Sequence, residues 1–373
     1  MNKINVPFVD LTREANFFMP KLLEKTKKVL ISGQYINGPF VKLFEEELTK
    51  FFGVKHVITV GNGSDALTFI LKALNLGNND EIICPANSFI ASAWSIIAAG
   101  CKPVFCDVTD DFLLDPYDFE RKITSRTKAV MPVHLTGRVF EVNKIKKICD
   151  LKNIKIVEDA AQSFGAKNDK GLKTGSFGIA GAFSLHPLKN LSIYGDGGII
   201  TTNSDEIARK CNLLRNHGLK NRDEATIWGY NSRLDEIQAA FGLVKLEEID
   251  EINSKYIDIA KFYDKNLENC LSKPIIRNSF RDIYHNYVIT IHEDIRDTLI
   301  KNLKKVGISS AIHYPIPLHL QKCADNLNYS AGDIPNVELY AKRMISLPIF
   351  PFLTKEELEA IIINFNRCLK ALL

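Results

Sequence analysis

Several features that mark common protein classes are scarce or missing in this chain of 373 residues. Its eight cysteines are scattered and form no C-x-x-C pair, which argues against a disulfide framework and against a zinc knuckle. We therefore predict no bound metal and a reducing, cytoplasmic setting. The formal net charge is only +4, and a charge this small for the length indicates no nucleic-acid partner.

Long apolar runs are also missing. The longest apolar stretch, residues 88–100 (SFIASAWSIIAAG), is too short and too polar to span a bilayer. The first residues, MNKINVPFVDLTRE, lack the apolar core of a secretory signal. With 46% hydrophobic and 25% charged residues, the composition is that of an ordinary soluble protein, and we expect no membrane partner.

What the sequence does contain is a regular alternation of short apolar segments and helical patterns. Helical periodicity appears at residues 63–75, 88–99 and 142–152, and a long helical stretch is predicted from about Ser204 to Glu248. Strands separated by helices predict βαβ units, and therefore an α/β fold with a mostly parallel sheet. The seven predicted strands are HVITV, EIICPA, KPVFCDV, KAVMPVHL, KIVEDA, GAFSL and GGIITT.

The remainder of the chain has the pattern of a smaller α+β module. Its segments are YIDIAKFYDKNLEN, YHNYVITI, IRDTLIKNLKKVG and TKEELEAIIINFNRCL. We therefore predict two domains, a large one at residues 1–246 and a small C-terminal α+β domain at residues 247–373.

The first predicted strand leads into a glycine-rich turn at residues 61–63, which a helical pattern follows. The free backbone N–H groups of such a turn, together with the positive end of the helix dipole, favour a bound anion. Ser64 is expected to cap this helix and to offer a hydroxyl group to the same anion.

The turn also matches the spacing G-x-G-x-x-A of dinucleotide-binding proteins, through Gly61, Gly63 and Ala66. Such proteins hold the ribose with an acidic residue at the far end of the next strand. Here Asp80 and Glu81 open that strand and do not close it. This mismatch disfavours a nicotinamide oxidoreductase.

In an open parallel sheet, ligands bind at the carboxyl ends of the strands. Each polar or aromatic residue found there has a plainer interpretation when taken alone. Asp159 could cap the helix that follows it, and His186 could be a structural histidine. Phe89 could belong to the core, and Lys189 could lie on the surface. Lys189, however, lies in a turn that Pro187 and a glycine cluster bound.

Taken together, these residues favour the chemistry of pyridoxal phosphate. This cofactor needs a lysine amine for a Schiff base and a carboxylate facing its pyridine nitrogen. Lys189 and Asp159 supply these two groups. The cofactor also needs a phosphate cup and an aromatic plate against its ring. The residues that supply the cup and the plate are Gly63, Ser64, Ser184 and Phe89.

At the level of motifs, the chain resembles the DegT/DnrJ/EryC1/StrS family of sugar aminotransferases over nearly its whole length. The matching segments, in chain order, are VPFVDLTRE, SGQYINGPFVKLFEEEL, VGNGSDAL, PANSFIASA, VHLTGR, VEDAAQSFGA, SLHPLKNLSIYGDGGIITTN, LRNHG, GYNSRLDEIQAAFGLVKL, HYPIPLHLQ and ISLPIFPFLTKEEL. The resemblance implies fold type I of pyridoxal-phosphate enzymes, like aspartate aminotransferase, with a mostly parallel seven-stranded sheet. It also implies a homodimer with shared active sites, a glutamate or glutamine donor, and a keto sugar on a nucleoside diphosphate as acceptor.

The resemblance also assigns roles to individual residues. Lys189 would form the Schiff base, Asp159 would face the pyridine nitrogen, and Phe89 would stack on the ring. Gln162 would lie by the phenolic oxygen. Asn231 would reach across the dimer to help Gly63, Ser64 and Ser184 hold the phosphate.

Candidates for contact with the sugar are less specific. They are His186, His313, Tyr314, His319 and Tyr35, and for the residues of AIHYPIPLHLQ a structural role is equally compatible with the sequence. The ending YGDGG resembles family members that aminate C3 of the sugar, whereas GEGG is frequent in those that act at C4. The alternatives are amination at C4, a keto inositol or keto uronic acid acceptor, and a non-catalytic regulator.

Overall fold

The computed structural model describes residues 4–268 and 272–373. The predicted segment at residues 256–269 therefore ends one residue outside the described part of the chain. Helices in the described ranges are α1 (Leu11–Ser32), α2 (Pro39–Phe52), α3 (Gly63–Ala73), α4 (Ile90–Ala98), α5 (Pro116–Arg121), α6 (Val142–Lys152), α7 (Asp205–Arg215), α8 (Glu236–Leu246), α9 (Ile249–Asn266), α10 (Glu293–Lys305), α11 (Pro335–Arg343) and α12 (Lys355–Lys370). Strands there are β1 (His56–Val60), β2 (Glu81–Pro85), β3 (Lys102–Cys106), β4 (Thr127–Val130), β5 (Lys155–Asp159), β6 (Ala180–Ser184), β7 (Gly198–Thr202), β8 (Tyr287–Thr290) and β9 (Met344–Leu347).

The large sheet has seven strands in the order β1-β7-β6-β5-β4-β2-β3. Strand β7 runs antiparallel to both of its neighbours, and the other neighbouring pairs are parallel. A second, two-stranded sheet pairs β8 with β9 in antiparallel orientation. The predicted α/β fold with a mostly parallel seven-stranded sheet is therefore confirmed.

Helices cover both faces of the large sheet, which explains why its strands are continuous apolar runs. Helix α3 packs across β6 and β7, while α1 and α2 pack on α8. Every residue of β2 and β7 is buried. The side chains of these two strands are therefore removed from solvent on both faces of the sheet.

The long helix predicted from about Ser204 to Glu248 is wrong, because α7 and α8 are separated by a loop at residues 216–235. The chain reverses on itself there, with Tyr230 donating its backbone N–H to the carbonyl of Leu214. Gly218 has a positive φ of 74°, and a side chain on Gly229 would lie 2.2 Å from the backbone nitrogen of Gly218. The two glycines permit a close backbone approach that interrupts the helix.

The N-terminal segment lies against the C-terminal part of the chain. Val6 forms a parallel bridge with Ile308, and Arg13 of α1 makes a two-pronged ion pair with Glu357 of α12. Domain limits at residues 1–246 and 247–373 remain a prediction. In residues 4–268 and 272–373, no helix has both the length and the apolar character needed to cross a membrane.

A buried carboxylate fixes the connection between β5 and β6. Glu158 accepts hydrogen bonds from the backbone N–H groups of Gly175, Phe177 and Gly178, and it also contacts the ring of His134 at 3.0 Å. Its side chain is inaccessible to solvent. This one side chain therefore satisfies the backbone of the loop that leads into β6.

We expect Glu158→Ala to lower the free energy of unfolding by about 3 kcal/mol or more, because it leaves several buried donors without an acceptor. Chemical denaturation measures the change. Glu251→Ala serves as the control, since Glu251 is an exposed residue of α9 paired with Lys255, and should change stability by less than about 0.5 kcal/mol. Equal effects of the two substitutions would contradict the anchoring role of Glu158.

Candidate active site

A cavity of about 350 Å³ lies at the carboxyl ends of the central strands, where the sequence predicts a site. It brings together residues from segments far apart in the chain. Ten of the thirteen residues singled out from the sequence line it: Gly63, Ser64, Phe89, Asp159, Gln162, Ser184, His186, Lys189, His313 and Tyr314.

Asp159 closes β5 and is 5% exposed. One carboxylate oxygen accepts a hydrogen bond from the hydroxyl of Ser92 at 2.7 Å, and that hydroxyl contacts Ser88 Oγ at 2.7 Å. The other oxygen accepts from the backbone N–H of Ala161, and no helix begins there. The position thus differs from that of a helix cap, and the serines fix the orientation of the carboxylate.

Lys189 lies in the loop after β6, where its backbone N–H donates to the carbonyl of His186. Protein surrounds its side chain on most sides, although part of it is accessible through the cavity. Burial lowers the pKa of the Lys189 amine to about 8, and the negative charge of Asp159 opposes part of this effect. An amine with such a pKa is partly neutral, and therefore nucleophilic, near neutral pH.

The glycine-rich turn and the end of β6 are in direct contact. Helix α3 begins at Gly63, and a Cβ atom on this residue would lie 2.9 Å from Cβ of Ser184. The helix cap is Asn62, which accepts from the backbone N–H of Asp65 at 2.8 Å, so the expectation that Ser64 is the cap is wrong. Asn62 fits because its side chain reaches the third residue beyond it. The turn, Ser64 and Ser184 thus line one corner of the cavity.

Gln162 is held from two sides. Its Oε1 accepts from the backbone N–H of Thr136 at 2.8 Å, and its Nε2 donates to the hydroxyl oxygen of Tyr314 at 3.1 Å. Burial raises the pKa of Tyr314 to about 12, so the phenol keeps its proton near neutral pH. The Tyr314 ring centre is 6.1 Å from that of Phe89.

His285 and Asn286 also line the cavity, and the sequence analysis missed both. They directly precede β8 in the predicted small module, so strand periodicity gave no reason to place them beside Lys189. Burial, with Lys189 nearby, lowers the pKa of His313 to about 4. The pKa of His285 is also held well below its usual value, for the same reasons and because His313 and His186 are near.

Three of the predicted residues are absent from the cavity lining. His319 is buried, and its Nε2 contacts Glu338 at 3.0 Å, which favours the structural role that the sequence left open. Tyr35 is 52% exposed, on the segment before α2. Asn231 is exposed and forms an isolated backbone bridge with Asn216.

Comparisons with known proteins place the chain in a family that covers most of its length. The model of the DegT/DnrJ/EryC1/StrS aminotransferase family matches residues 19–366. The chain is 39% identical over 364 residues to the "Pleiotropic regulatory protein" of Geobacillus stearothermophilus, which covers 96% of this chain and 97% of that protein. It is 38% identical over 364 residues to the dTDP-3-amino-3,6-dideoxy-alpha-D-galactopyranose transaminase of Aneurinibacillus thermoaerophilus, and the match covers 97% of this chain and 99% of that protein.

Solved structures show the same fold. The structure of S. venezuelae DesV in complex with a ketimine intermediate matches with a TM-score of 0.94 and 33% identity, over 97% of this chain and 98% of that one. The PLP form of the putative sugar aminotransferase Spr1654 from Streptococcus pneumoniae matches with a TM-score of 0.92 and 26% identity, over 99% of this chain and 100% of that one.

In the ligand-free protein, we expect labelling of Lys189 by an amine-reactive reagent to rise with pH around a midpoint near 8, as its pKa implies. Peptide mass spectrometry over a pH series measures the midpoint. Asp159→Asn should lower it further, because the charge of Asp159 favours the protonated amine. A midpoint near 10.5, the ordinary value for lysine, would contradict the burial of this amine.

Proposed function

Because the chain belongs to the DegT/DnrJ/EryC1/StrS aminotransferase family, and is therefore a pyridoxal-phosphate-dependent sugar aminotransferase, we propose that it aminates C3 of a keto sugar linked to a nucleoside diphosphate. The amino group would come from glutamate or glutamine, and the product would serve amino-sugar and surface polysaccharide biosynthesis. The observation that supports the aminotransferase chemistry of the proposal is a single cavity that holds the Lys189 amine, the Asp159 carboxylate and the N-terminus of α3.

The cavity fits pyridoxal phosphate in size and in chemistry. Its volume is in the range of small-ligand sites. The helix N-terminus at Gly63, with the hydroxyls of Ser64 and Ser184, offers N–H and O–H donors for the phosphate. Lys189 and Asp159 would hold the opposite, reactive part of the cofactor.

When bound, pyridoxal phosphate supplies an aldehyde that takes up the amino group and a ring that accepts an electron pair. The Lys189 amine would hold that aldehyde and then, once free, carry a proton on its Nζ atom. The Asp159 carboxylate, oriented by Ser92, would keep the ring nitrogen protonated. Gln162 would donate its amide hydrogen to the phenolic oxygen, and Phe89 would cover the ring.

Support for C3 comes from the transaminase of A. thermoaerophilus, whose name specifies a 3-amino sugar, and from the sequence YGDGG in this chain. His186, His313 and Tyr314 line the same cavity as Lys189 and are the candidates for sugar contact. Amination at C4, or of a keto inositol or keto uronic acid nucleotide, would use the same cofactor site. These alternatives differ from the proposal only in the acceptor substrate.

A regulatory function is suggested by the relative from G. stearothermophilus, which is named a pleiotropic regulatory protein. The complete set of Lys189, Asp159 and Gln162 in one cavity favours catalysis, because a purely regulatory protein has no need of a reactive amine beside a carboxylate. We therefore keep regulation as the secondary candidate.

A homodimer with shared sites is the second element of the proposal. Exposed apolar side chains lie at the start of α4 and along it, at Phe89, Ile90, Trp94 and Ile97, and an exposed patch of this kind favours a partner surface. Trp228, near Asn231, is 98% exposed. We propose that a second copy covers these residues and receives Asn231 at its cofactor phosphate.

The proposed acceptor can be tested with a matched pair of substrates. We expect the enzyme, with glutamate or glutamine and pyridoxal phosphate, to aminate a 3-keto-6-deoxyhexose on a nucleoside diphosphate at least about tenfold faster than the 4-keto isomer, because the site orients one sugar carbon toward Lys189. NMR of the product identifies the aminated carbon. Lys189→Ala is the inactive control. A preference for the 4-keto isomer would reject C3.

Subunit complementation tests the shared site. Lys189→Ala and an inactivating Asn231 substitution are prepared separately and mixed under conditions that exchange subunits. In a mixed dimer, the chain that keeps Lys189 receives a native Asn231 from its partner, which restores roughly a quarter of all sites at equal mixing. The readout is recovered aminotransferase activity.

A negative result of the same experiment would also be informative, because contacts within one chain offer an alternative to the shared site. Ser232, the neighbour of Asn231, accepts a hydrogen bond from the backbone N–H of Gly61 and donates one to Asp65 of the same chain. The loop that carries Asn231 is thus hydrogen-bonded to the glycine-rich turn at residues 61–63 of its own chain. If Asn231 serves that turn, no mixed dimer holds an intact site. Absence of recovery, with subunit exchange confirmed independently, would reject the shared site.

A further inference from the structure

His285 enters the cavity from the segment before β8 and is held there by the backbone around Gly137. The backbone N–H of Ile283 donates to the carbonyl of Gly137 at 3.0 Å. A Cβ atom on Gly137 would lie 2.8 Å from the backbone nitrogen of His285, so the two segments are in contact. The backbone that carries His285 is therefore positioned by main-chain contacts with the segment around Gly137.

A chain of side-chain amides connects the His285 ring to a backbone carbonyl. Asn253 Nδ2 donates to the carbonyl of Phe164 at 3.0 Å, and Asn190 Nδ2 donates to Asn253 Oδ1 at 3.1 Å. Asn190 Oδ1 then faces His285 Nδ1 at 3.1 Å. Each amide has one donor end and one acceptor end, so the orientation of one amide determines the next.

The backbone carbonyl of Phe164, at the end of these hydrogen bonds, determines which end of each amide donates. A backbone carbonyl can only accept, so the NH₂ group of Asn253 must face Phe164, and its oxygen must face Asn190. Asn190 in turn must present its oxygen to His285. The proton of the neutral imidazole therefore resides on Nδ1, and Nε2 carries an unshared electron pair.

The amides are buried tightly enough to hold this order. Asn253 is 0% exposed and Asn190 is 5% exposed. Gly165 has a positive φ of 90°, and a Cβ atom on it would lie 2.8 Å from Asn253 Nδ2, so a larger residue there would displace the amide. Burial and nearby Lys189 hold the pKa of His285 well below its usual value, which keeps the ring neutral.

From this geometry we propose that His285 uses Nε2 as a hydrogen-bond acceptor for a hydroxyl group of the sugar substrate, in a tautomer set by Asn190 and Asn253. The substrate half of this inference rests on the proposed function. The carboxylates of the amino-acid donor, of which glutamate has two and glutamine one, only accept hydrogen bonds and cannot pair with Nε2, whereas each free hydroxyl of a sugar can donate one. The site would thus distinguish the two substrates that must use the same cavity in turn.

The tautomer can be measured without an activity assay. In holoenzyme with ¹⁵N-labelled histidine, long-range ¹H–¹⁵N NMR reports which ring nitrogen carries the proton, and His285→Phe identifies the signals by their loss. We expect His285 to carry its proton on Nδ1 in the native protein. Asn253→Leu should yield a mixture of tautomers, because the Asn190 amide is then free to turn over.

Asn364→Leu is the matched control, since the Asn364 amide also donates to a backbone carbonyl, that of Ala360, but lies on α12, where its oxygen accepts from Arg367. It should leave the His285 signals unchanged. A proton on Nε2 of the native enzyme, an imidazolium at neutral pH, or an unchanged tautomer in Asn253→Leu would each overturn the amide-chain mechanism.

Kinetics test the contact with the sugar. We expect His285→Phe to raise KM for the keto sugar roughly tenfold, the value of one hydrogen bond of about 1.4 kcal/mol, while KM for the amino donor stays the same. His285→Gln, which can place an amide oxygen near the position of Nε2, should recover part of this loss. The half-reaction with the amino donor, followed through the absorbance of the bound cofactor, shows that each variant is folded.

The outcomes separate this inference from the proposed function. If the native enzyme aminates no keto sugar, the proposed function fails, and the sugar contact fails with it, while the NMR result decides the tautomer by itself. If the native enzyme aminates a keto sugar but His285→Phe has an unchanged KM for it, the sugar contact is overturned and the proposed function stands.

Discussion

The arrangement of the site depends on two adjacent carboxylates at the end of β5, which point to opposite faces of the sheet because side chains alternate along a strand. Glu158 binds the backbone of the loop that precedes β6, and Asp159 enters the cavity. Strand β6 ends at Ser184, and Lys189 follows in the next loop. The position of the reactive amine relative to Asp159 thus relies on a carboxylate that never meets the ligand.

Local patterns were sufficient to predict the seven strands of the large sheet and the polar residues at their ends, since a parallel sheet buries its strands and gathers its ends at one edge. The break between α7 and α8 was missed because helical patterns lie on both sides of the loop at residues 216–235, and the close approach of Gly218 and Gly229 appears only in the structure. His285 was missed for a related reason. Its neighbours come from distant segments, and one sequence carries no signal for such contacts.

The electrostatics of the cavity are simpler than its list of titratable residues suggests. Burial disfavours charge on His285 and His313, whose pKa values are lowered, and on Tyr314, whose pKa is raised. These three side chains therefore act as neutral hydrogen-bonding groups. Reactivity is left to Lys189 and Asp159, which lie close enough for the charge of one to influence the proton of the other.

The contacts between the two ends of the chain limit how such enzymes can exchange parts by recombination. Val6 pairs with Ile308, and Arg13 binds Glu357, so the first helix completes a surface formed by the last third of the sequence. The Val6 pairing is made by main-chain groups, whereas a chimaera that received the segment from α9 onward from a relative without Glu357 would leave Arg13 without its ion pair. A crossover that preserves this ion pair must therefore transfer α1 together with α12, even though more than three hundred positions separate them in the gene.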